Sequence, residues 1–436
     1  MQEYKNTLNY LFGLQKFGMK FGLENIKHLL DFLENPEKNY PTVHIAGTNG
    51  KGSTAAMIAS ILTASGYKTG LYTSPHLVDF TERIRIDGKP ISSKEVVIYG
   101  KKLKSQIQKT KATFFEATTA IAFQYFSDKN VDVALIETGL GGRLDATNVI
   151  KPELSIITTI GMDHSEQLGN TIQSIAAEKA GIIKSRTPCL TSVKNASALK
   201  KIKSIAKDNN SPLIEVSKYA KLKVISNEID SLNVSLQVDD LKLRNVKVDL
   251  VGSYQIDNIK LAVSAVKLLR ENSKFYKVNK QTIVEGLRDV RKNTGLRCRF
   301  EMLSASPIII GDVAHNPQGF EALSKSLVDA GLHDVIAVFG IMEDKDTDSV
   351  LPYLMKASKL VVACQPKINR ALKSRIIVEK LHKQEFPCIN GISVQHSIEI
   401  AKSRAQDGDT LLICGSHYVL AEAVLLLNKI PKKLDF

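Results

Sequence analysis

The 436-residue chain has only five cysteines, and nothing in their spacing suggests a staple. Cys189, Cys298, Cys364, Cys388 and Cys414 contain no CxxC pair and make no even disulfide framework, which predicts reduced thiols and argues against structural zinc. Long apolar runs are also missing. No segment reaches the roughly eighteen uninterrupted apolar residues of a membrane span, and the opening Met1-Gln2-Glu3-Tyr4-Lys5-Asn6 has no apolar stretch. A cytoplasmic protein without membrane attachment is the expectation. Arginine-rich blocks and regular basic-aromatic alternation are absent too. The formal charge of +14, carried mostly by scattered lysines such as Lys101-Lys102 and Lys432-Lys433, therefore reads as a solvated surface and not as a nucleic-acid groove. With no internal repeat and no low-complexity stretch, a solenoid is excluded.

What is present describes an ordinary globular chain, 43% hydrophobic and 24% charged. Its length exceeds the size at which one core usually stops growing, so two domains are expected. Residues 40–65 run from a β-rich segment, Thr42-Val43-His44-Ile45-Ala46, through a glycine loop into helix-compatible residues 54–64. Apolar runs at 131–136, 154–160 and 189–193 predict buried parallel strands, separated by helical patterns such as 116–126. Over 221–249 short alternating segments predict a small antiparallel sheet, followed by helices at 257–271 and 280–290. The polar stretch Arg291-Lys292-Asn293-Thr294-Gly295 reads as a break, placing domains at 1–292 and 297–436. A second α/β alternation follows, with strand candidates at 307–310, 335–339, 360–363 and 410–414.

The loop Gly47-Thr48-Asn49-Gly50-Lys51-Gly52-Ser53 stands between strand and helix, where backbone N–H groups and a helix N-terminus face phosphate oxygens. It fails the generic phosphate-loop pattern, which asks for glycine at Ile45 and Ser or Thr at Gly52. Taken alone it could be a simple glycine turn. Together with Tyr72-Thr73-Ser74-Pro75-His76-Leu77 and Thr81-Glu82-Arg83-Ile84-Arg85, it resembles the variant loop of the Mur ligase superfamily, in its dihydrofolate synthase/folylpolyglutamate synthase branch. The resemblance runs from about Phe17 to Ala421. It continues through Thr113-Phe114-Phe115-Glu116, the segment from Glu137 to Asn148, Asp163-His164, Glu178-Lys179-Ala180-Gly181 and Asp312-Val313-Ala314-His315-Asn316-Pro317. It implies an α/β, two-domain Mur-ligase-like fold: an N-terminal P-loop ATPase domain with a small antiparallel sheet, and a C-terminal Rossmann-like α/β domain.

For the site, the resemblance implies that Asn49, Gly50, Lys51, Gly52, Ser53, Asn258, Arg299 and Asp312 hold ATP, the last two from the second domain. Arg299 and Asp312, on residue type alone, could as well be ion-pair partners. A metal set of Ser74, Glu137 and His164 is implied for Mg2+, two ions in all. Glu137 ends an apolar strand, where α/β sheets bind ligands, although it could equally cap a helix. A lone His164 is more often structural, and nitrogen is an uncommon magnesium ligand. Lys179 by itself reads as a solvated lysine on an amphipathic helix; the resemblance makes it a carbamate, which requires a neutral amine. Lys51, carbamylated Lys179 and His315 are the implied catalytic residues. One departure concerns Cys298, standing where the family usually has glycine, which bears on the backbone shape at Arg299.

The implied substrates are dihydropteroate, folates, L-glutamate and ATP, with no NAD, haem, zinc, nucleic acid or membrane partner, handled by a monomer. Thr113, Phe114, Phe115 and Glu116 would wall the acceptor, with Leu144, Asp145 and Ala146 at the pterin loop and Met19, Lys20 and Phe21 as a looser match. A phenylalanine pair near a helix start is by itself more often core. The chemistry implied is γ-phosphoryl transfer to a carboxylate, then attack by the glutamate amine on the acyl phosphate. The alternative is a folylpolyglutamate synthase without dihydrofolate synthase activity.

Overall fold

The computed structural model describes residues 2–18, 22–271 and 274–428. Met19, Lys20 and Phe21 lie outside the described residues. Eight strands form the first sheet: β1 (Thr42–Ala46), β2 (Thr69–Tyr72), β3 (Ile84–Ile86), β4 (Lys89–Pro90), β5 (Val133–Glu137), β6 (Leu154–Ile157), β7 (Cys189–Thr191) and β8 (Leu213–Glu215). Their order is β4-β3-β2-β5-β1-β6-β7-β8. From β2 to β8 all neighbours are parallel, while β3 and β4 close one edge antiparallel. β1, β5 and β6 are buried on both faces, which explains why they read as mainly apolar segments without in-out alternation. The chain leaves β1 between β5 and β6, so the carboxyl ends of these central strands open a crevice for ligands.

Three antiparallel strands follow, β9 (Ala220–Asn227), β10 (Leu232–Val238) and β11 (Leu241–Val248). Leu232, Val234, Leu236 and Val238 alternate inward along β10 and share one core with the helices Lys51–Ala64 and Gln255–Glu271. The third sheet holds β12 (Glu301–Ala305), β13 (Ile308–Asp312), β14 (Val335–Phe339), β15 (Ser358–Gln365), β16 (Cys388–Ser393) and β17 (Thr410–Cys414), in the order β12-β13-β17-β14-β15-β16. All its pairs are parallel except the edge hairpin of β12 with β13.

Local expectations need three corrections. The helix after the glycine loop begins at Lys51, three residues earlier than its apolar pattern, because Gly50 in a left-handed conformation turns the chain straight into it. The polar stretch expected as a break is itself the helix Val290–Thr294, closed by Gly295 at φ 67°. A tertiary bond starts it: the Asp249 carboxylate accepts from the Arg291 N–H at 2.8 Å. The strands β2, β3, β4, β8, β12 and β16 went unseen: none exceeds 6 residues, and β12 and β16 are also largely half-exposed and lack an apolar run. No described helix is long and apolar enough to cross a membrane.

Candidate functional site

The loop at residues 47–53 is shaped from behind. Gly50 has φ 88°, and a Cβ there would run into Asn258 Oδ1, so the conformation and the space both demand glycine. Asn258 is buried; its Oδ1 accepts from Thr54 Oγ1 at 3.3 Å and its Nδ2 donates to Gln255 Oε1 at 2.8 Å. Ser53 is buried under the same helix turn, with Gln255 Nε2 at 3.5 Å from its hydroxyl. From in front, Thr159 fixes the loop: its carbonyl accepts from Thr48 N at 2.7 Å and its Oγ1 from Asn49 N at 3.0 Å. The result is a row of N–H groups at a helix N-terminus, a cradle for anions.

Two lysines converge on this loop. Lys51 Nζ donates to the Gly47 and Thr48 carbonyls at 3.1 and 3.3 Å. Lys179, on the helix Ile172–Ala180, is buried and donates to the same Gly47 carbonyl at 2.9 Å. Burial, helped by the charge of Lys51, brings its ammonium down to about 7. A solvated-lysine reading is thereby ruled out. Glu137 ends β5, in register with Ile45 and buried, with Ser74 N donating to its Oε2 at 3.2 Å. Burial pushes its carboxyl up, against the opposing pull of Lys51, the Ser74 N–H and Arg299.

The second sheet-bearing unit reaches across. Cys298 takes φ 56° and Phe300 φ 49°, so the loop keeps a left-handed shape although cysteine replaces the usual glycine. Asp312 holds that shape: Oδ2 accepts from Phe300 N and Tyr254 Oη, each at 2.8 Å, and Oδ1 from Ala314 N at 2.8 Å. With these bonds inside the chain, Asp312 acts first on Arg299 through its loop. His315 places Nδ1 2.9 Å from the Val313 carbonyl and Nε2 3.7 Å from Asp163 Oδ2.

Ser74 and Glu137 are therefore brought together, whereas His164 stands beside Asp163, its Nε2 3.8 Å from Oδ1. His164 and Ser74 both line one large cavity. Among the described residues, no group of three or more His, Cys, Asp or Glu side chains is assembled as a metal site. The expected set relies instead on a serine hydroxyl and on the modified form of Lys179.

That cavity, about 970 Å³, opens between the two units. Phe114, Phe115, Leu144 and Ala146 line its first side. Phe114 stacks on Phe12 with centroids 5.3 Å apart and has the Arg83 guanidinium 5.2 Å above its ring, while Phe115 packs on Gly139. Thr113 and Glu116 form a capping box for the helix Phe114–Asp128, so their polar groups serve that helix first. Asp145 is similarly occupied: Oδ1 accepts from Thr147 N and Oγ1 at 3.0 and 2.5 Å, and Oδ2 from Leu140 N at 2.8 Å.

Several contacts of the site involve residues of the segments that carry the resemblance, such as Asn49, His76, Asp163 and Asn316, in partnerships the sequence did not show, and Lys345 and His417 had no local signal at all. Asp163 is a meeting point of the two units, with Lys345 Nζ donating to Oδ1 at 2.8 Å and Asn316 Nδ2 to Oδ2 at 3.0 Å. Asn49 and Asn316 exchange amide bonds at 3.2 and 3.1 Å. His76 accepts from Arg83 Nε at 2.8 Å, and His417 begins the helix His417–Leu427; both line the large cavity and a smaller one beside Glu137. Burial, then Arg299, His315, His76 and Lys51, hold His417 well below the usual imidazole range. Only spatial neighbours mark out Lys345 and His417, and only the fold shows how the others are paired.

Residues 45–266 match the Mur ligase middle domain and residues 298–417 the Mur ligase glutamate ligase domain. The chain is 36% identical to the dihydrofolate synthase/folylpolyglutamate synthase of Bacillus subtilis, covering 80% of this chain and 82% of that protein. It is 33% identical to a probable bifunctional folylpolyglutamate synthase/dihydropteroate synthase of Haloferax volcanii, covering 97% of this chain but only half, 50%, of that protein's length. Escherichia coli FolC in complex with DHPP and ADP superposes with a TM-score of 0.87 at 29% identity, covering 98% of each chain. A Mycobacterium tuberculosis folylpolyglutamate synthase complexed with ADP gives 0.90 at 28% identity, over 98% of this chain and 100% of that one.

Proposed function

The chain belongs to the Mur ligase family, in its dihydrofolate synthase/folylpolyglutamate synthase branch, and from that premise we propose that it is an ATP-dependent ligase adding L-glutamate to 7,8-dihydropteroate and to reduced folates. The observation that carries this reading is that a small cavity reaching Gly52 of the phosphate loop and Glu137 shares Ser74, Pro75, His76 and His417 with the aromatic-walled cavity. Phosphoryl donor and flat carboxylic acid can thus meet at one partition. We infer that the two units are 1–292 and 297–436, and that the enzyme works as a cytoplasmic monomer on small molecules.

A carboxylate reacts with an amine only after activation. The loop N–H groups and Lys51 hold the terminal phosphate of ATP while the acceptor carboxylate attacks phosphorus and ADP leaves. Arg299 adds a planar guanidinium from the second unit. The glutamate amine, deprotonated, then attacks the acyl carbon; the amide C–N bond forms and phosphate departs with the C–O electron pair. Holding both reactants in one cavity replaces a bimolecular encounter by a local one.

Glu137 and Ser74 suit a magnesium ion, because a buried carboxylate facing the phosphate end is a hard oxygen ligand whose own burial disfavours its charge. When bound there, the ion supplies charge neutralisation for the transferring phosphoryl group. We infer that His164 belongs to a second such site with Lys179 carbamylated. The Lys179 amine supports this, since at about 7 much of it is neutral near physiological pH and can add to CO2 with loss of a proton.

Phosphate release measured with ATP, L-glutamate and either dihydropteroate or a reduced folate tests the assignment. Turnover on both is expected; activity on the reduced folate alone would leave a folylpolyglutamate synthase, and activity on neither would refute the ligase. Lys51→Ala and Glu137→Ala should each lower kcat by about a hundredfold or more with the fold intact, and near-normal turnover would remove their roles.

A further inference from the structure

Beside the end of β5 lies a small cavity of about 40 Å³, room for a few waters or one small oxyanion but not for a nucleotide or a pterin. Gly52, Glu137 and Arg299 form its nucleotide end, and Arg85, Leu296 and Arg297 its far end. Arg85 projects from β3 and is 9% exposed. Its Nε is buried without a hydrogen-bond partner, and its ion-pair contact with Glu82 is long, at 3.9 Å. Glu82 is already occupied, accepting from the N–H groups of Leu77, Val78 and Asp79 at 2.9, 3.0 and 2.9 Å. Arginine stays charged at any physiological pH, so burial leaves this guanidinium short of an anion. Arg297 pairs with Glu301 at 2.5 Å yet keeps its side chain 39% exposed at the outer end.

Three guanidiniums thus line a cavity sized for one tetrahedral oxyanion, and its inner end touches the place where a phosphoryl group would be transferred. Resting on the ligase reading above, we propose that this cavity is a site for the released inorganic phosphate, held by Arg85, Arg297 and Arg299, none of which lines the acceptor cavity, as it moves off from the wall the two cavities share. Forked N–H donors of arginine match phosphate oxygens in geometry as well as charge. Such a station removes phosphate from the amide carbonyl while the large cavity is still filled by product, and so opposes reversal.

Calorimetric titration of inorganic phosphate into the ADP-bound full chain tests the proposal, with Arg85→Gln and Arg297→Gln as variants and ADP affinity as the control for folding. Phosphate should bind the unaltered enzyme saturably, and Arg85→Gln should weaken it about tenfold or more, in line with losing a charged hydrogen-bond donor, with ADP affinity kept within about twofold. Phosphate inhibition of turnover should weaken in parallel. Should Arg85→Gln fail to bind ADP, the exposed Arg297 decides, and a loss of phosphate affinity in Arg297→Gln supports the site. Absent phosphate binding, unchanged phosphate affinity in the variant that binds ADP, or a loss of L-glutamate affinity in place of phosphate affinity would overturn it. Arginine-dependent phosphate binding without any acceptor-dependent phosphate release would instead refute the ligase reading alone.

Discussion

Lys179 acquires its chemistry from its surroundings. Removed from water and set near Lys51, its amine is brought down to about 7, half-way to the neutral form that CO2 addition needs. Cys298 shows backbone shape winning over residue preference. At φ 56° it pays a conformational cost of order 1–3 kcal/mol, and the Cys298 N–H donated to Glu301 Oε2 at 2.6 Å, with Asp312 holding Phe300 N, keeps the turn in place. Asp249 is tuned the other way from a free carboxylate. Burial pushes it up to about 6, with Oδ1 left buried and unpartnered. Because its folded pKa is raised, protonated Asp249 favours the fold below about 4, and that contribution is lost as pH rises through about 6. Asp249→Asn should therefore stabilise the protein at pH 8 by about 1–2 kcal/mol, an advantage that shrinks on going to pH 5. Urea denaturation at both pH values measures this; an equal or lower midpoint for the variant at pH 8 would contradict it.

Among elements, the phosphate-loop helix Lys51–Ala64 is the most constrained. It is buried almost all round, carries small residues such as Ala55, Ala56 and Ala59, and is approached closely by the helix Lys280–Arg288. Gly286 makes that approach possible: a Cβ there would lie 2.5 Å from Ile61 Cα and 2.7 Å from Ile61 N, backbone atoms that cannot swing away. Ser60 Oγ bonds the Gly286 carbonyl at 2.6 Å across the same contact. Alanine would gain about 1 kcal/mol of helix propensity but meets overpacking of about 1–3 kcal/mol or more against rigid backbone. Gly286→Ala should thus destabilise and, by pushing the loop helix, weaken ATP binding together with thermal stability. A variant with unchanged melting temperature and ATP affinity would show that the two helices separate freely.

For the whole molecule, the question is what sets one unit against the other. Asp163 and Lys345 are each about nine-tenths buried, with side-chain exposures of 10% and 11%, and the bond between them joins the first unit to the loop after β14. The Asn49–Asn316 amide pair links the phosphate loop directly to the start of the helix Pro317–Asp329. Breaking a buried charge pair costs about 3–5 kcal/mol, here charged to the closed arrangement and to neither core. Asp163→Ala should raise the radius of gyration in small-angle scattering, lower kcat/KM and leave the helical signal unchanged. Scattering identical to that of the unaltered protein would place the hold elsewhere.

Local order was written in the sequence. A β-rich run marked β1 and apolar runs marked β5 and β6 because those strands are buried on both faces, alternating segments marked β9 and β10 of the small sheet, and the glycine loop announced itself between strand and helix. The family blocks named Lys51, Glu137, Lys179 and Arg299, and the fold brings all four to one crevice. Which polar groups stay available was not legible. Asp145 and Asp312 spend oxygens on their own loops, the stretch at 290–294 is helical through Asp249, and Arg85, Lys345, His76 and His417 matter only through neighbours distant in the chain. Periodicity is a property of adjacent residues and survives in the sequence. A carboxylate's partners and a guanidinium's burial depend on contacts between remote segments, and these the tertiary structure alone decides.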